Sequence, residues 1–410
     1  MVRGGQDYVP GKAFDRFVTI WLENQDFSAV SQNSDIRSLA KSGILLTSFY
    51  GLTHPSQPNY IASVGGDYFG LNHDDVVRLP TNVSTVVDLF DTKGISWKEY
   101  MEDVPGPGYM GVISLNDEGE TDYVRKHKYG LPTVFRGPLI SFDSVANNGT
   151  RLANIVSFNE FEVDLRDKTL PQYSHLTPNM TNDGHDTSLS FAATWTKNFL
   201  TPLLEDPSFT NRTLILLTYD ESKTYTKPNK IVSILLGDAV PKNLRGTKDD
   251  TFYTHYSILS TLENNFALPN LGRYDVGANV FDVVAKTTGH QNNNSAVDKS
   301  KVDLSVSYRG YLNSKASDRL PIPYPNTLLL GAGGPVLDDI KRAWGVGQKT
   351  PYDGSGRVFD KGHPPIYGDM VQNTPAPAAT VVPKSSGGGR REGSYGVIVC
   401  AAVMGVLSVF

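Results

Sequence analysis

The sequence has almost no cysteine. Among its 410 residues the single cysteine is Cys400, which lies in an apolar stretch at the C-terminal end. A disulfide needs two cysteines and a thiolate metal site several, so the rest of the chain has neither. An excess of positive charge is also lacking, because 38 Lys and Arg stand against 43 Asp and Glu, for a net charge of −5. Nucleic-acid-binding domains usually carry a basic face, so we expect no nucleic-acid partner.

The first residues, MVRGGQDYVPGKAF, lack the apolar segment of a signal peptide, but the C-terminal end is typical of a surface protein. Residues 396–410, GVIVCAAVMGVLSVF, are uncharged but shorter than the about 20 residues that span a membrane. The small and polar residues before them predict a GPI-attachment signal with Ser386 or a neighbour as the anchor residue. A tail anchor is the alternative.

We therefore expect a secreted or cell-surface protein, in contact with a membrane only through this anchor. Such a protein is translocated during synthesis, so we expect the natural chain to have a signal peptide that this sequence does not carry. N-x-S/T sequons favour the same compartment and predict a glycoprotein. They begin at Asn82, Asn148, Asn179, Asn211 and Asn293.

Apolar runs of strand length alternate with amphipathic segments, and the composition, 39% hydrophobic and 20% charged, is that of a globular protein. The strongest strand signals are residues 17–22 (FVTIWL) and 213–219 (TLILLTY). This alternation predicts an α/β fold with a largely parallel central sheet and helices on both faces. Further strands are predicted at 43–49, from 94, at 154–158 and at 231–236, and helices at 35–41, 83–90, 187–204 and 256–266.

Composition divides the chain into three regions. Residues 1–345 are expected to form the catalytic domain, with residues 105–140 as a long excursion over the active-site end. Residues 346–395, rich in Gly, Pro, Ser and Thr, predict a linker or stalk, because such a composition cannot bury a core. Residues 396–410 form the apolar tail.

The stretch THPSQPNYIASVGG, residues 53–66, places Ser56 immediately before a short apolar helix. Pro58 suits the first helical turn, and Gly65 and Gly66 are expected to end the helix. A hydroxyl at a helix N-terminus lies near free N–H groups and the positive end of the helix dipole, which favour an anion. Ser56 is therefore a candidate nucleophile toward phosphorus; an ordinary helix start is the alternative.

Two pairs of polar residues, with three carboxylates and one amide between them, directly follow the two strongest strands. Glu23 and Asn24 follow FVTIWL, and Asp220 and Glu221 follow TLILLTY. Ligands gather at the carboxyl ends of strands in an open parallel sheet, where these carboxylates would repel one another unless a cation lay between them. Their oxygen atoms suit Mg²⁺, Ca²⁺ or Mn²⁺. The alternative is that each pair caps a helix at the end of its strand.

Histidines provide candidate acids and bases. In the cluster NDGHD, Asp186 is a natural N-cap for the following helix, which leaves Asp183 and His185 for a second metal, a phosphate or a leaving group. His54 is close to Ser56 and either orients the loop or acts as acid or base. The remaining candidates are His255, which opens a helix, and His127, which lies on the long excursion. A surface or capping role is the alternative for His255.

Taken together, these motifs resemble the fungal acid phosphatases. These belong to the phosphoesterase family that also includes bacterial phospholipases C, within the alkaline-phosphatase-like superfamily. The resemblance extends from about Phe14 to Phe281. It is carried by ENQDF, HPSQPNY, VRKHKYG, NDGHD, TYDES and YTHYSILSTLENNFALPNLGRYDVGANVF.

The resemblance implies one divalent metal ion and a set of ligands. Ser-x-Pro-Asn is similar to the Thr-x-Pro-Asn nucleophile motif of related phosphodiesterases, which implies that Asn59 binds a phosphate oxygen. Relatives with two zinc ions have Asp-His at the second acidic pair, whereas this chain has Asp-Glu, so one hard cation is expected rather than a di-zinc centre. The implied metal ligands are Glu23, Asn24, Ser56, Asp220 and Glu221.

The resemblance also implies a two-step hydrolysis of small phosphate esters. Ser56 would attack phosphorus to form a phosphoserine, and the alcohol would leave with a proton from His185 or His255. The cation, Asn59 and protonated His127 would stabilise the phosphoryl oxygens. Because histidines must be protonated for these roles, we expect an acidic pH optimum. A phospholipase C-like phosphodiesterase and a non-catalytic cell-wall glycoprotein are the alternatives to an acid phosphatase.

Overall fold

The computed structural model describes residues 8–110, 137–292 and 308–356. His127 and most of the predicted excursion, as well as the apolar tail, lie outside these residues. Among the described residues, no helix combines the length and apolar character needed to span a bilayer.

The described strands form one sheet of nine strands in the order β4-β3-β5-β1-β6-β7-β2-β8, with β9 also paired to β2. Only β7 runs against its neighbours β6 and β2; every other pairing is parallel. The predicted α/β fold with a largely parallel sheet is confirmed. The strands are β1 (Arg16–Leu22), β2 (Ile44–Tyr50), β3 (Trp97–Met101), β4 (Ile155–Ser157), β5 (Tyr173–Thr177), β6 (Thr213–Tyr219), β7 (Lys230–Leu236), β8 (Thr247–Asp249) and β9 (Tyr253–Thr254).

The strongest apolar runs form the centre of the sheet. Every residue of β1 and of β6 is buried, and the two strands pair in parallel from Arg16–Thr213 to Leu22–Tyr219. Because successive side chains of a strand point to opposite faces, such a strand is covered on both faces. The described α-helices are α1 (Phe27–Val30), α2 (Ser34–Ala40), α3 (Ser56–Gly65), α4 (Val86–Asp91), α5 (Asp143–Ala146), α6 (Gly149–Leu152), α7 (Phe158–Asp167), α8 (Leu189–Glu205), α9 (Pro207–Thr210), α10 (Tyr256–Phe266), α11 (Asp282–Thr288) and α12 (Asp338–Trp344).

Helix α3 is buried along its whole length, including its polar residues Ser56, Gln57, Asn59 and Ser63. It starts at Ser56 and packs against α10. Gly66 ends it in the left-handed conformation, with φ of 71°, and donates its N–H to the carbonyl of Ala62. A side chain at this φ would be strained, so the predicted role of Gly66 as a terminator is confirmed.

The N-cap predicted for the amphipathic helix is wrong. Helix α8 starts at Leu189, and its cap is Ser188, whose hydroxyl accepts the N–H of Phe191 at 3.2 Å. Asp186 lies too early to reach this first turn and instead accepts a hydrogen bond from the ring of its neighbour His185 at 2.7 Å.

The folded body continues past residue 345, where the sequence analysis placed its end. Tyr352 is buried and donates its hydroxyl to Oδ2 of Asp67 at 2.5 Å, and the hydroxyl of Tyr308 donates to the other oxygen of the same carboxylate. One buried carboxylate therefore fastens both ends of the segment 308–356 to the body. The composition of this segment concealed its packing, because a few tyrosines among many Gly and Pro residues suffice to anchor it.

Candidate active site

Three loops meet at one edge of the sheet. Strands β1, β6 and β2 run in the same direction, so the residues that follow them emerge at the same edge. Glu23 and Asn24 follow β1, Asp220 and Glu221 follow β6, and the loop to Ser56 follows β2. The first two loops are joined directly, because the N–H of Asp220 donates to the carbonyl of Leu22 at 3.2 Å.

The hydroxyl of Ser56 lies at the centre of this group. Its Oγ is 3.1 Å from Oε2 of Glu23, 3.3 Å from Oε1 of Glu221 and 3.4 Å from Oδ1 of Asn24. Ser56 is only 2% exposed. A hydroxyl has one proton to donate, so it cannot satisfy three oxygen acceptors at once. The structure therefore crowds acceptor oxygens around one buried hydroxyl, as the loops were predicted to do.

Three carboxylates lie close together in the site, and burying them is unfavourable for the folded state. Glu23, Asp220 and Glu221 are all buried. Burial, and then the charges of Glu23 and Glu221, raise the pKa of Asp220 well above its ordinary value, although the Ser56 hydroxyl and a backbone N–H oppose the shift. Neither carboxylate oxygen of Asp220 has a hydrogen-bond partner of normal geometry. A buried carboxylate without such a partner is costly to the folded state.

These donors fit one hard divalent cation. They are carboxylate, amide and hydroxyl oxygens, which Mg²⁺, Ca²⁺ and Mn²⁺ prefer, and a cation would compensate the repulsion among the carboxylates. Within the described residues, no three His, Cys, Asp or Glu side chains are already drawn together into a closed metal-ligand geometry. Glu23 and Glu221 each contact the Ser56 hydroxyl instead.

Two aromatic rings hold the glutamates from outside. The hydroxyl of Tyr60 donates to Oε1 of Glu23, and Nδ1 of His54 meets Oε2 of Glu221. Each glutamate therefore has one oxygen on a supporting ring and the other on Ser56. The contact with Glu221 supports an orienting role for His54, one of the two roles predicted for it, and both roles stay predictions. Tyr60 was interpreted as part of an apolar helix; its spacing of four from Ser56 places both on one helix face and was the signal for its role.

The side chain of Asn59 is hydrogen-bonded to the backbone of its own loop. Its Oδ1 accepts the N–H groups of Leu52 and Thr53 at 2.7 and 3.3 Å, and its Nδ2 donates to the carbonyls of Thr53 and Pro55 at 2.9 and 3.3 Å. The structure therefore shows Asn59 as the residue that shapes the turn before Ser56. Its predicted binding of a phosphate oxygen stays a prediction, and it would require one of these bonds to open.

Sequence reasoning missed Asp74. The argument for an anion at the start of α3 assumed free N–H groups, but Oδ1 of Asp74 accepts the N–H of Gln57 at 2.9 Å. One of the first amides of the helix is therefore already paired with a carboxylate. No motif marks this residue, because the chain returns to the helix start only in the folded protein.

The structure places His255 behind the site and fully buried. Its Nε2 is 2.7 Å from the backbone carbonyl of Asp220, and its ring packs 4.8 Å from that of Trp21. A carbonyl accepts only, so Nε2 carries the proton. Burial lowers the pKa of His255 to about 4. This geometry supports a positioning role for His255, and of the two predicted proton donors it favours His185. The alternative of a surface histidine is excluded.

The NDGHD cluster borders the site. The carbonyl of Asp183 accepts the N–H of Glu23 at 3.1 Å, and its buried Oδ1 accepts the N–H of His185 at 2.8 Å. Burial, and the nearby carboxylate of Asp183, raise the pKa of Tyr219, the last residue of β6. The side chain of His185 is 26% exposed, so it is open to solvent. Asp183 therefore joins this loop to the glutamate loop, and its predicted metal binding stays a prediction.

Comparison with known proteins identifies relatives. The Phosphoesterase family model matches residues 31–269, which include Ser56, Asp183, Asp220 and Glu221. A probable acid phosphatase of Kluyveromyces lactis is 50% identical over 338 residues, 82% of this chain and 77% of the relative. An acid phosphatase of Aspergillus fumigatus is 46% identical over 356 residues, 84% of this chain and 77% of the relative.

Among solved structures, a protein in the alkaline phosphatase superfamily from Vibrio parahaemolyticus is similar, with a TM-score of 0.38 and 13% sequence identity. The match covers 63% of this chain and 68% of the Vibrio protein. A likeness of this extent does not identify an activity. The identity to the fungal proteins and the family match are independent of it, and they show that the chain belongs to the Phosphoesterase family.

Proposed function

We propose that this protein is an acid phosphatase that hydrolyses small phosphate monoesters. The names of its fungal relatives support the activity, and phosphoesterases are hydrolases of phosphoric esters. The observation that carries the proposal is the buried Ser56 hydroxyl, whose Oγ lies 3.1 to 3.4 Å from oxygens of Glu23, Asn24 and Glu221. A nucleophile and groups able to take its proton are thereby in contact.

We infer that Glu23, Asn24, Ser56, Asp220 and Glu221 hold one divalent cation. When bound, the cation would lower the pKa of the serine hydroxyl and counter the charge of the phosphoryl group. The buried carboxylate of Asp220 supports this inference, because its oxygens have no hydrogen-bond partner of normal geometry, and the Ser56 hydroxyl and one backbone N–H offset only part of the cost of its burial.

In the first step that we propose, Ser56 Oγ attacks phosphorus while its proton passes to a neighbouring carboxylate, that of Glu23 or Glu221. The bond between phosphorus and the alcohol oxygen breaks, and that oxygen takes a proton from His185. The product is a phosphoserine and a free alcohol. In the second step water attacks phosphorus and gives a proton to His185, the bond between phosphorus and the Ser56 oxygen breaks, that oxygen takes back the proton from the glutamate, and phosphate leaves.

We further propose that the protein is a secreted or surface-attached glycoprotein. Three of its sequons, at Asn82, Asn148 and Asn211, are exposed in the structure, which supports glycan attachment there. At Asn179 the side chain is half-buried and bonded to Asn182 and Asp103. The predicted GPI signal around Ser386 lies outside the described residues and stays a prediction.

Matched assays test the proposed reaction. The full chain is assayed with 4-nitrophenyl phosphate and with bis(4-nitrophenyl) phosphate from pH 4 to 8, with and without a chelator. We expect preference for the monoester, higher activity at acidic pH, and loss of activity on chelation that added Mg²⁺, Mn²⁺ or Ca²⁺ restores. Preference for the diester would instead identify a phosphodiesterase, and turnover of neither would leave a non-catalytic protein.

Trapping of phosphorylated enzyme tests the proposed phosphoserine intermediate. An acid quench during turnover, followed by peptide mass spectrometry, is expected to find phosphate on the peptide that contains Ser56. Ser63→Ala is the matched control, because Ser63 is a buried serine of the same helix whose hydroxyl bonds only the carbonyl of Tyr60, at 2.7 Å. Turnover with no phosphorylated enzyme at any quench time would favour direct attack by water.

A further inference from the structure

The loop between β6 and β7 starts at the candidate site and is held in place at both ends. Asn229 is buried; its Oδ1 accepts the N–H of Ser222, and its carbonyl accepts the N–H of Gly51, both at 2.8 Å. In the middle of the loop, the N–H and hydroxyl of Thr224 donate to Asp26 at 2.9 and 2.8 Å. Since Asp26 follows Glu23 and Asn24, this loop is fastened to the other two loops of the site.

This anchored loop carries one aromatic side chain, Tyr225. Its ring stacks on that of His54, with the ring centroids 3.9 Å apart and the planes 20° apart. His54 in turn meets Glu221, and it lies two residues before Ser56. The side chain of His54 is 3% exposed, whereas Tyr225 is 54% exposed. The stack therefore leads from the buried carboxylates to an aromatic surface.

Tyr225 is 54% exposed, so its burial contributes little to the hydrophobic core of the fold. The stack and the anchored loop nevertheless hold the ring in one place, which reduces the entropy lost when a ligand packs against it. We expect a substrate with its phosphoryl group at Ser56 to direct its alcohol part toward solvent, and Tyr225 is the exposed end of the series of contacts that runs from Ser56 through Glu221 and His54.

We propose that Tyr225 is a specificity-determining residue, whose ring binds the flat, aromatic alcohol part of a phosphate monoester. This inference rests on the proposed phosphatase activity and adds a substrate class to it. A planar π group extends the stack that His54 and Tyr225 begin, in the offset or edge-on arrangements that aromatic rings prefer. A saturated alcohol of the same size has no π face and receives only the apolar contact.

The test compares benzyl phosphate with cyclohexylmethyl phosphate. Both are phosphates of primary alcohols of similar size, and they differ in whether the ring is aromatic. We expect the native protein to have the higher kcat/KM for benzyl phosphate. Tyr225→Leu, which keeps an apolar side chain, is expected to reduce that preference about threefold to tenfold, whereas Tyr225→Phe keeps it. Leu330→Ala removes another exposed apolar side chain, 75% exposed, and is expected to change nothing.

The ratio of kcat/KM for benzyl phosphate to kcat/KM for cyclohexylmethyl phosphate, rather than activity alone, tests the inference. If Tyr225 only supported His54, Tyr225→Leu would lower kcat/KM equally for both esters and leave their ratio unchanged, which would overturn the inference. A native protein that does not distinguish the two esters would overturn it as well, while the phosphatase activity would stand. If the native protein hydrolysed no phosphate monoester, the proposed function would fail first, and this subsite with it.

Discussion

Nε2 of His255 donates a hydrogen bond to the backbone carbonyl of Asp220 at 2.7 Å, from the side of Asp220 that faces the core. The ring cannot turn to reach solvent, because it packs against Trp21 and Phe49 at centroid distances of 4.8 and 5.4 Å. His255, one of the two proton donors predicted from the sequence, thus contacts the backbone of Asp220, and this geometry supports a positioning role. A proton-donor role and a positioning role for His255 predict different effects when this residue is replaced.

Replacing His255 is expected to reduce activity without changing its pH dependence. His255→Leu removes the donor to Asp220 and should lower kcat/KM about 10- to 100-fold, as losses of groups that orient metal ligands typically do. His255→Gln can still donate and should recover most of that loss. The measurement is kcat/KM from pH 4 to 8. If His255→Gln instead removed the basic limb of the profile, His255 would be the acid.

His185→Gln is expected to act on the pH profile itself. A general acid must be protonated, so activity that depends on it falls as pH rises. The variant should lose activity most at acidic pH and show a flatter basic limb than the native protein. An unaltered profile would remove His185 from the mechanism, and the same assay on Asp186→Asn checks the contribution of the carboxylate that holds its ring.

Ser56→Ala should abolish turnover and spare the fold. Removal of a nucleophile costs on the order of 10³-fold or more in kcat, whereas loss of one buried hydroxyl changes little of the packing. Turnover of 4-nitrophenyl phosphate and the thermal midpoint are measured together, beside Ser63→Ala. Near-native turnover in Ser56→Ala would show that another group attacks phosphorus.

Asp220→Asn should lower activity yet stabilise the chelated protein. Asparagine has nearly the same shape and removes the charge that repels Glu23 and Glu221, so the free energy of unfolding after chelation should rise by about 1–3 kcal/mol. Chelation should also add little to the activity lost in this variant. Thermal unfolding with chelator measures the first effect, with Asp35→Asn, a carboxylate near the surface paired with Lys197, as control. A less stable variant would contradict the idea that Asp220 is an uncompensated charge.

Glu99 should make stability fall as pH rises. Its carboxyl group ionises near pH 4.5 in the unfolded chain, and burial raises its pKa to about 8 in the folded protein. Between these values unfolding releases a proton, so the contribution is fully present below about pH 4.5 and is lost as pH approaches 8. The slope is at most about 1.4 kcal/mol per pH unit.

Glu99→Gln stays neutral in both states and should lack this slope. Denaturant unfolding at pH 5, 6, 7 and 8 compares it with the native protein, with the exposed Glu205→Gln as control. We expect the native protein to lose a few kcal/mol relative to Glu99→Gln over this range. If the free energy of unfolding depended on pH in the same way in both proteins, Glu99 would already be ionised in the folded state, with its charge compensated by neighbouring groups.

Part of the fold and of the site followed from sequence because it depends on local pattern. The runs FVTIWL and TLILLTY are buried on both faces as β1 and β6, and they are followed at once by Glu23-Asn24 and Asp220-Glu221. Two parallel strands end at the same edge, so their following residues had to be near each other wherever the sheet formed. Strand β5, Tyr173–Thr177, was not predicted, because its run YSHLT contains too few apolar residues to indicate a buried strand.

The sequence alone thus determined the alternating α/β pattern, the family and the chemical character of the site, since these are carried by side-chain types and their spacing. Only the tertiary structure decided which groups touch. Strand β2 lies three places from β1 in the sheet, beyond the antiparallel β7, and yet its loop returns to bring Ser56 within 3.1 Å of Glu23. That contact, the turn of His255 into the core and the stack of Tyr225 on His54 join residues far apart in the chain, where packing rather than local pattern sets the geometry.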